Sequence, residues 1–294
     1  MKNCSEFLND LEKKIINKLN LPIFVQTSLK LNSTISFSQY IYKSQKLITI
    51  VGENHFQQFN CVKPSLSLAD YCLKIINKNS NCRIMLEFNK SVPIHNKKPQ
   101  GIYSPAIQSI YSLFYDKNKL DYIIPFDERP FFLSPQGHKD LYGSNFSKVS
   151  YRDIEKRFVD PFGAKTSRHP YLFKLTQGKY DSNIRNYLEN NYVEDIEKHL
   201  LWVKQAIKNK EKKEKIRFAL RDIWKKVTDF YILRIIFRED TSINELIIIM
   251  GNSHQDNLNK LFKTMLNPGP LTFLNEQKGK KKGNCVELYN TYMI

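Results

Sequence analysis

The sequence is short of the signatures by which a function is usually first recognised. No apolar run approaches the roughly 18 to 20 residues that a bilayer crossing requires, so no transmembrane segment is expected. The five cysteines, Cys4, Cys61, Cys72, Cys82 and Cys285, show neither a Cys-x-x-Cys pair nor zinc-ribbon spacing, which excludes the familiar thiolate zinc sites. Being odd in number and scattered, they point to a reducing compartment. The phosphate-loop pattern Gly-x-x-x-x-Gly-Lys-Ser/Thr, the dinucleotide pattern Gly-x-Gly-x-x-Gly and the nucleophile elbow Gly-x-Ser-x-Gly are all absent. Acidic side chains are in the minority, 29 against 46 lysines and arginines, giving a formal net charge of +17. A field of that sign favours anionic partners such as nucleic acid or an acidic protein. Codon bias in an AT-rich genome yields the same lysine excess, so the charge describes the surface and not the chemistry.

What is present is enough for a packed core: 294 residues, 41% of them apolar and 13% aromatic. Residues 1–46 read as an N-terminal helix, with Phe7, Leu8, Leu11, Ile15, Ile16 and Leu19 at helical spacing, followed by a hairpin with strand-like 34–37. This start lacks the continuous apolar core of a signal peptide, and a cytoplasmic or otherwise intracellular protein is expected. From 47 onward three apolar strands, 47–51, 83–88 and 120–126, alternate with helices at 68–78 and 104–115. The second helix opens on a serine cap followed by proline, Ser104-Pro105. Strands this uniformly apolar have no solvated face, which argues for a mainly parallel sheet covered on both sides, a three-layer α/β domain over 47–294.

Within that domain residues 131–183, punctuated by glycine and proline, read as an irregular lid. Two amphipathic helices over 184–238 read as an inserted helical hairpin. A strand at 245–250 returns to the sheet, a helix follows at 255–266, and a last short strand lies around Cys285.

Two of the strands end alike. Leu47 to Val51 runs into Gly52-Glu53-Asn54-His55, and Leu246 to Met250 runs into Gly251-Asn252-Ser253-His254. Glu87 closes the strand between them, and Asp127 and Arg129 follow the third. Ligands of an open parallel sheet bind beyond the carboxyl ends of its strands, and polar groups stacked on apolar strands are least costly when they share a cleft. Two imidazoles and two or three carboxylates suit a borderline divalent metal, or general acid and base groups around a water. Arg129 then neutralises charge developing on an oxygen. Each feature has a plainer reading: glycine is a common exit from a strand, Glu87 can serve as a cap, and Asp127 can pair with Arg129. His95 and His199 read as surface residues, while His138 and His169 fall in the lid. The lysine-rich 278–282 loop is the better candidate for phosphate contact.

Ile48 to His55, Glu87 and the distant Gly251-Asn252-Ser253-His254 together resemble the superfamily that joins erythromycin esterase, the haem-binding ChaN lipoproteins and the Tiki/TraB proteins. The likeness covers about 47–130 and 245–265, and its Gly-Glu-x-His spacing is closest to the ChaN form. It implies a cleft built from Glu53, His55, Glu87 and His254, with Arg129 beside them. It implies a hydrolase of an ester, peptide or related bond in a small molecule or peptide, in which Glu53, His55, Glu87 and His254 hold zinc or manganese or activate a water directly. The ChaN branch implies haem binding instead, as a non-catalytic alternative. A basic nucleic-acid-associated protein on the same fold is the other.

Overall fold

In the computed structural model the described residues are 29–32, 34–43, 45–53, 61, 65–89, 104–127, 135–162, 178–239, 241–265, 271–278 and 285–288. The expected N-terminal helix and the basic 278–283 loop fall outside them, apart from the backbone of Lys278.

The chain opens with β1 (Leu29–Asn32), β2 (Thr34–Tyr42), β3 (Lys46–Glu53), β4 (Ser65–Leu66), α1 (Leu68–Lys78), β5 (Cys82–Asn89), α2 (Pro105–Asp116) and β6 (Ile123–Asp127). It continues through α3 (Pro135–Tyr142), α4 (Tyr151–Ile154), α5 (Ser182–Leu188), α6 (Glu194–Lys208) and α7 (Lys213–Phe237). The last elements are β7 (Glu245–Gly251), α8 (Asn252–Thr264), β8 (Leu271–Lys278) and β9 (Cys285–Leu288). The chain divides into two compact units. One comprises Met1–Phe88, Pro93–Pro125 and Ser242–Ile294, and the other Asn89–Val92 and Phe126–Thr241.

The fold is α/β, with a mostly parallel six-stranded sheet in the order β6-β5-β7-β3-β2-β8. β7 runs parallel to β3, with Leu47 opposite Glu245 and Glu53 opposite Gly251, and parallel to β5, with Cys82 opposite Glu245. Its central place explains its sequence. Leu246 to Met250 are fully buried, because a strand flanked on both edges and covered on both faces meets no water. Each such side chain contributes on the order of 1.5 to 3 kcal/mol through removal of its apolar surface from water.

Residues 29–42, expected as a hairpin ahead of the domain, lie differently. β2 is antiparallel to β3 and to β8, inside the main sheet, while β1 pairs with β4 and β9 in a separate three-stranded sheet. β2 can sit there because both of its faces are occupied: Phe37 meets Tyr71 edge-on, and Ser38 and Tyr40 both donate to Asn259 Oδ1, at 2.8 and 2.9 Å. Two further expectations shift. The 120–126 strand begins as a 3-10 turn, Leu120–Tyr122, and β6 follows at the sheet edge, the kind of strand in which a proline such as Pro125 is tolerated. β8 was not foreseen.

One face of the sheet is covered by α1 and α2. Their Tyr71, Ile75, Ile107, Ile110 and Tyr111 join Phe37, Val51, Ile84, Leu86, Ile247 and Ile249 in a single apolar cluster. Side chains alternate along a strand, so Ile50, Met85 and Ile248 project to the other face, the one on which Ser38 and Tyr40 meet α8.

In the other unit, α3 and the short turns through Phe162 bury Leu141, Phe146, Phe158 and Phe162, so this part of the expected lid is packed structure. α5 widens into a π-type turn at Glu189–Val193 and continues as α6, and residues 209–212 then lead into α7. Lys226 of α7 pairs with Asp195 of α6 and, at 3.0 Å, with Asp222. Trp224, Ile223 and Phe230 are buried beneath them.

Candidate functional site

Glu53 is the last residue of β3, 1% exposed. It shares parity with Val51 and therefore lies on the sheet face that carries α1 and α2. Its Oε2 accepts a hydrogen bond of 2.6 Å from Ser104 Oγ. Ser104 is also the cap of α2, its hydroxyl accepting from the Ile107 amide at 3.3 Å. The carboxylate is thus tied to a helix amino terminus through one hydroxyl.

Glu87 has the opposite parity and projects with Met85 toward α8. Its Oε2 accepts the Gly251 amide at 2.7 Å, and its Oε1 stands 3.7 Å from His254 Nε2. Gly251 is the cap position of α8, has extended backbone there and contributes no side chain. A carboxylate from the neighbouring strand takes the cap residue's own amide, the bond that a glutamate at the third helical position makes in a capping box. His254 then sits in the first turn of α8, 5% exposed, against the same carboxylate. At 3.7 Å the two groups are beyond a direct hydrogen bond but within ion-pair range when the imidazole is protonated, and both are within reach of one shared water.

The described residues therefore resolve the expected cluster into two carboxylate systems at the carboxyl edge of the sheet. Glu87 and His254 form one pair, and Glu53 with Ser104 forms another, reached from the opposite face. They are close along the edge, since Glu53 is the direct register partner of Gly251. His55 and Arg129 lie outside the described residues, as do His95, His169 and the side chain of His138. Asp127 is buried at the end of β6. Among the described residues no group of three or more histidine, cysteine, aspartate or glutamate side chains is placed to share a metal. Glu87 and His254 can supply two ligands, and a fuller set needs residues such as His55.

Sequence reasoning missed three features near this edge and one at the opposite end. Ser104 was read as a cap, but nothing local signals its bond to Glu53. Gln255 is fully buried beside His254, with Ser36 Oγ donating to its Oε1, and Asn259 takes the hydroxyls of Ser38 and Tyr40. At the amino end of β7, Glu245 is fully buried, with Oε2 accepting from Asn79 Nδ2 at 3.0 Å. Burial pushes its carboxyl up to about 7, and the Asn79 bond only partly opposes this. Burial likewise drives the Tyr71 hydroxyl and the Cys72 and Cys82 thiols well above their usual values, with the Glu245 charge adding to each. Cys72 and Cys82 are free thiols, whereas Cys61 is disulfide-bonded.

Comparisons of the chain with protein-family models, with curated proteins and with solved structures find no match.

Proposed function

We propose that the carboxyl edge of the sheet is the active site of a hydrolase acting on an ester, peptide or related bond. The observation that carries this reading is the buried pair of Glu87, near the end of β5, and His254, in the first turn of α8 after the adjacent parallel strand β7, with its two groups 3.7 Å apart. In this reading His254 takes a proton from a water that attacks the scissile carbonyl or related centre. Glu87, fixed by the Gly251 amide, steadies the imidazolium that forms. Glu53, held by Ser104, completes the edge from the other face, and His55 and Arg129 are assigned to the same site on the resemblance to the erythromycin esterase, ChaN and Tiki/TraB superfamily. A divalent metal, zinc or manganese, would be held by His254 and Glu87 together with His55, and would supply Lewis acidity there, with Glu53 on the other face outside its coordination. The supporting scaffold we propose is a three-layer α/β domain with α6 and α7 as an inserted helical hairpin.

Among the described residues no helix is long and apolar enough to cross a membrane. The intracellular location expected from the sequence belongs to the proposal.

The test is hydrolysis by the purified full-length protein of chromogenic ester, peptide and phosphoester substrates, with and without added zinc or manganese. His254→Ala is the control. Turnover that depends on His254 supports the reading. Turnover that survives in His254→Ala, or a Soret band and haem stoichiometry without turnover, overturns it, as does salt-sensitive nucleic-acid binding as the sole activity.

A further inference from the structure

A second feature lies on the paired helices α6 and α7, in the other compact unit. Three large apolar side chains are exposed there: Leu201 at 70%, Trp202 at 45% and Phe218 at 60%. Exposed single apolar residues are ordinary, but three of this size on one face are not. Trp202 and Phe218 line a groove of about 550 Å³ together with Lys198, His199, Ala219 and Asp222. The groove has a built floor. His199 Nδ1 lies 2.8 Å from the Asp195 carbonyl and its Nε2 is 3.8 Å from Asp222, while Lys226 bridges Asp195 and Asp222. These contacts fix the two helices in one register, so the indole and the phenyl ring stand on a rigid support.

The charge around the groove identifies what would fill it. Of the acids around it, Asp195 and Asp222 are paired by Lys226, Glu194 by Lys198 at 3.9 Å, Glu211 by Lys215 at 3.6 Å and Glu214 by Arg217 at 3.1 Å, while Glu197 is half-buried. Lys204 and Lys208 continue the stripe of Leu201 by one and two turns of α6, and Lys225 lies two turns beyond Phe218 on α7. None of these three lysines has an ion pair among the described residues. The uncompensated charge is positive, and the centre is aromatic and apolar.

We propose that the α6 and α7 groove docks an acidic amphipathic helix of a partner protein. The apolar face of the partner covers Leu201, Trp202 and Phe218, and its carboxylates face Lys204, Lys208 and Lys225. Two packed helices present the hydrophobic trough that a third helix fills, and exposed tryptophan is the residue type most often dominant in such contacts. Single-stranded nucleic acid also uses lysines around aromatic rings, but Leu201, the most exposed of the three, is aliphatic and offers a base no face to stack on. This site is independent of the hydrolase reading and stands or falls separately.

The chain carries its own reporter. Of its two tryptophans Trp224 is fully buried and Trp202 is exposed, so a change in emission on docking reports Trp202. The full-length protein is titrated with a labelled synthetic helix of about four turns bearing leucine at i, i+3, i+4 and i+7 and glutamate on both flanks. A lysine-flanked counterpart and a single-stranded oligonucleotide serve as competitors. The expected result is a saturable blue shift with the glutamate helix and at least tenfold weaker binding of both competitors. By anisotropy of the label, binding should weaken at least tenfold in Phe218→Ala and severalfold in Lys204→Glu. Both substitutions are at exposed or partly exposed positions, and unchanged unfolding curves confirm that the fold is kept; the second still tests the proposal should the first fail to fold. Absence of saturable binding, equal binding of the lysine-flanked helix or the oligonucleotide, or self-association that buries Trp202 without peptide overturns the proposal.

Discussion

Ser104 and Glu53 are joined by a hydroxyl that works in both directions: Ser104 Oγ donates to the buried Glu53 carboxylate at 2.6 Å and accepts the Ile107 amide at 3.3 Å. The start of α2 and the charge at the end of β3 therefore depend on one atom. Ser104→Ala removes a helix cap, worth about 1 kcal/mol, and takes a donor from a buried carboxylate, worth about 1 to 2 kcal/mol. A loss of about 2 to 3 kcal/mol in urea unfolding is expected, with Ser104→Thr recovering most of it. An alanine variant as stable as the parent would show that Glu53 does not depend on this bond.

Glu87 separates structure from chemistry in a single substitution. The amide of Glu87→Gln can still accept the Gly251 N–H through its carbonyl oxygen, whereas Glu87→Ala cannot. The glutamine variant should lose about 1 kcal/mol and the alanine variant about 2 to 3 kcal/mol, since a bond to a charged acceptor is stronger than one to a neutral acceptor. Hydrolysis, if the edge is an active site, should fall by on the order of a hundredfold or more in both, because the imidazole loses its anionic partner either way. A glutamine variant that is fully active would remove Glu87 from the mechanism while leaving its capping role intact.

The central strands were legible because burial on both faces imposes an unbroken apolar run, and Ile247 to Ile249 can hardly be anything else. The helix start at Ser104-Pro105 was equally plain. What stayed hidden depends on partners more than two hundred residues apart. Ser38 and Tyr40 look like the wet side of a strand, yet both meet Asn259 of α8. β8 was missed because Leu271 to Lys278 is apolar only at its start, and an edge strand needs no more. The strand ends were read as one cleft because sequence gives no face. Val51 and Glu53 share parity, and so do Met85 and Glu87, but only the register of β3, β7 and β5 shows that these are opposite sides of the sheet. Glu245 simply began a strand, with nothing nearby to mark it as buried.

The disulfide at Cys61 makes a count. With Cys61 in a disulfide, titration of the unfolded, unreduced protein should find fewer than five thiols, rising to five after reduction. In the native protein Cys72 and Cys82 should not react at neutral pH, because burial keeps both thiols protonated and out of contact with reagent. The Cys61 amide donates to Asn32 Oδ1 at 3.0 Å at the end of β1, so reduction should loosen the three-stranded sheet first, read as faster amide exchange in β1 than in β7. Five thiols without reduction would support the expectation of a reducing compartment.

Glu245 should make stability depend on pH in the direction opposite to that of a salt-bridged acid. Its carboxyl titrates at about 7 in the folded protein against 4.5 in the open chain. Below 4.5 both states hold the proton and the group contributes no pH dependence. Between the two values the folded state binds the proton and the unfolded state releases it, so stability falls as pH rises, and it levels off above about 7 where both are ionised. The separation corresponds to on the order of 3 kcal/mol. Other groups titrate over the same range, so the relevant measurement is the difference between the parent and Glu245→Gln. That variant retains an acceptor for Asn79 Nδ2 and carries no charge at any pH. Its stability relative to the parent should therefore increase from pH 5 to pH 8. A constant difference across that range would mean that the folded protein accommodates the charged carboxylate, and would place water or a cation at Glu245 Oε1, for which no hydrogen-bond partner is present among the described residues.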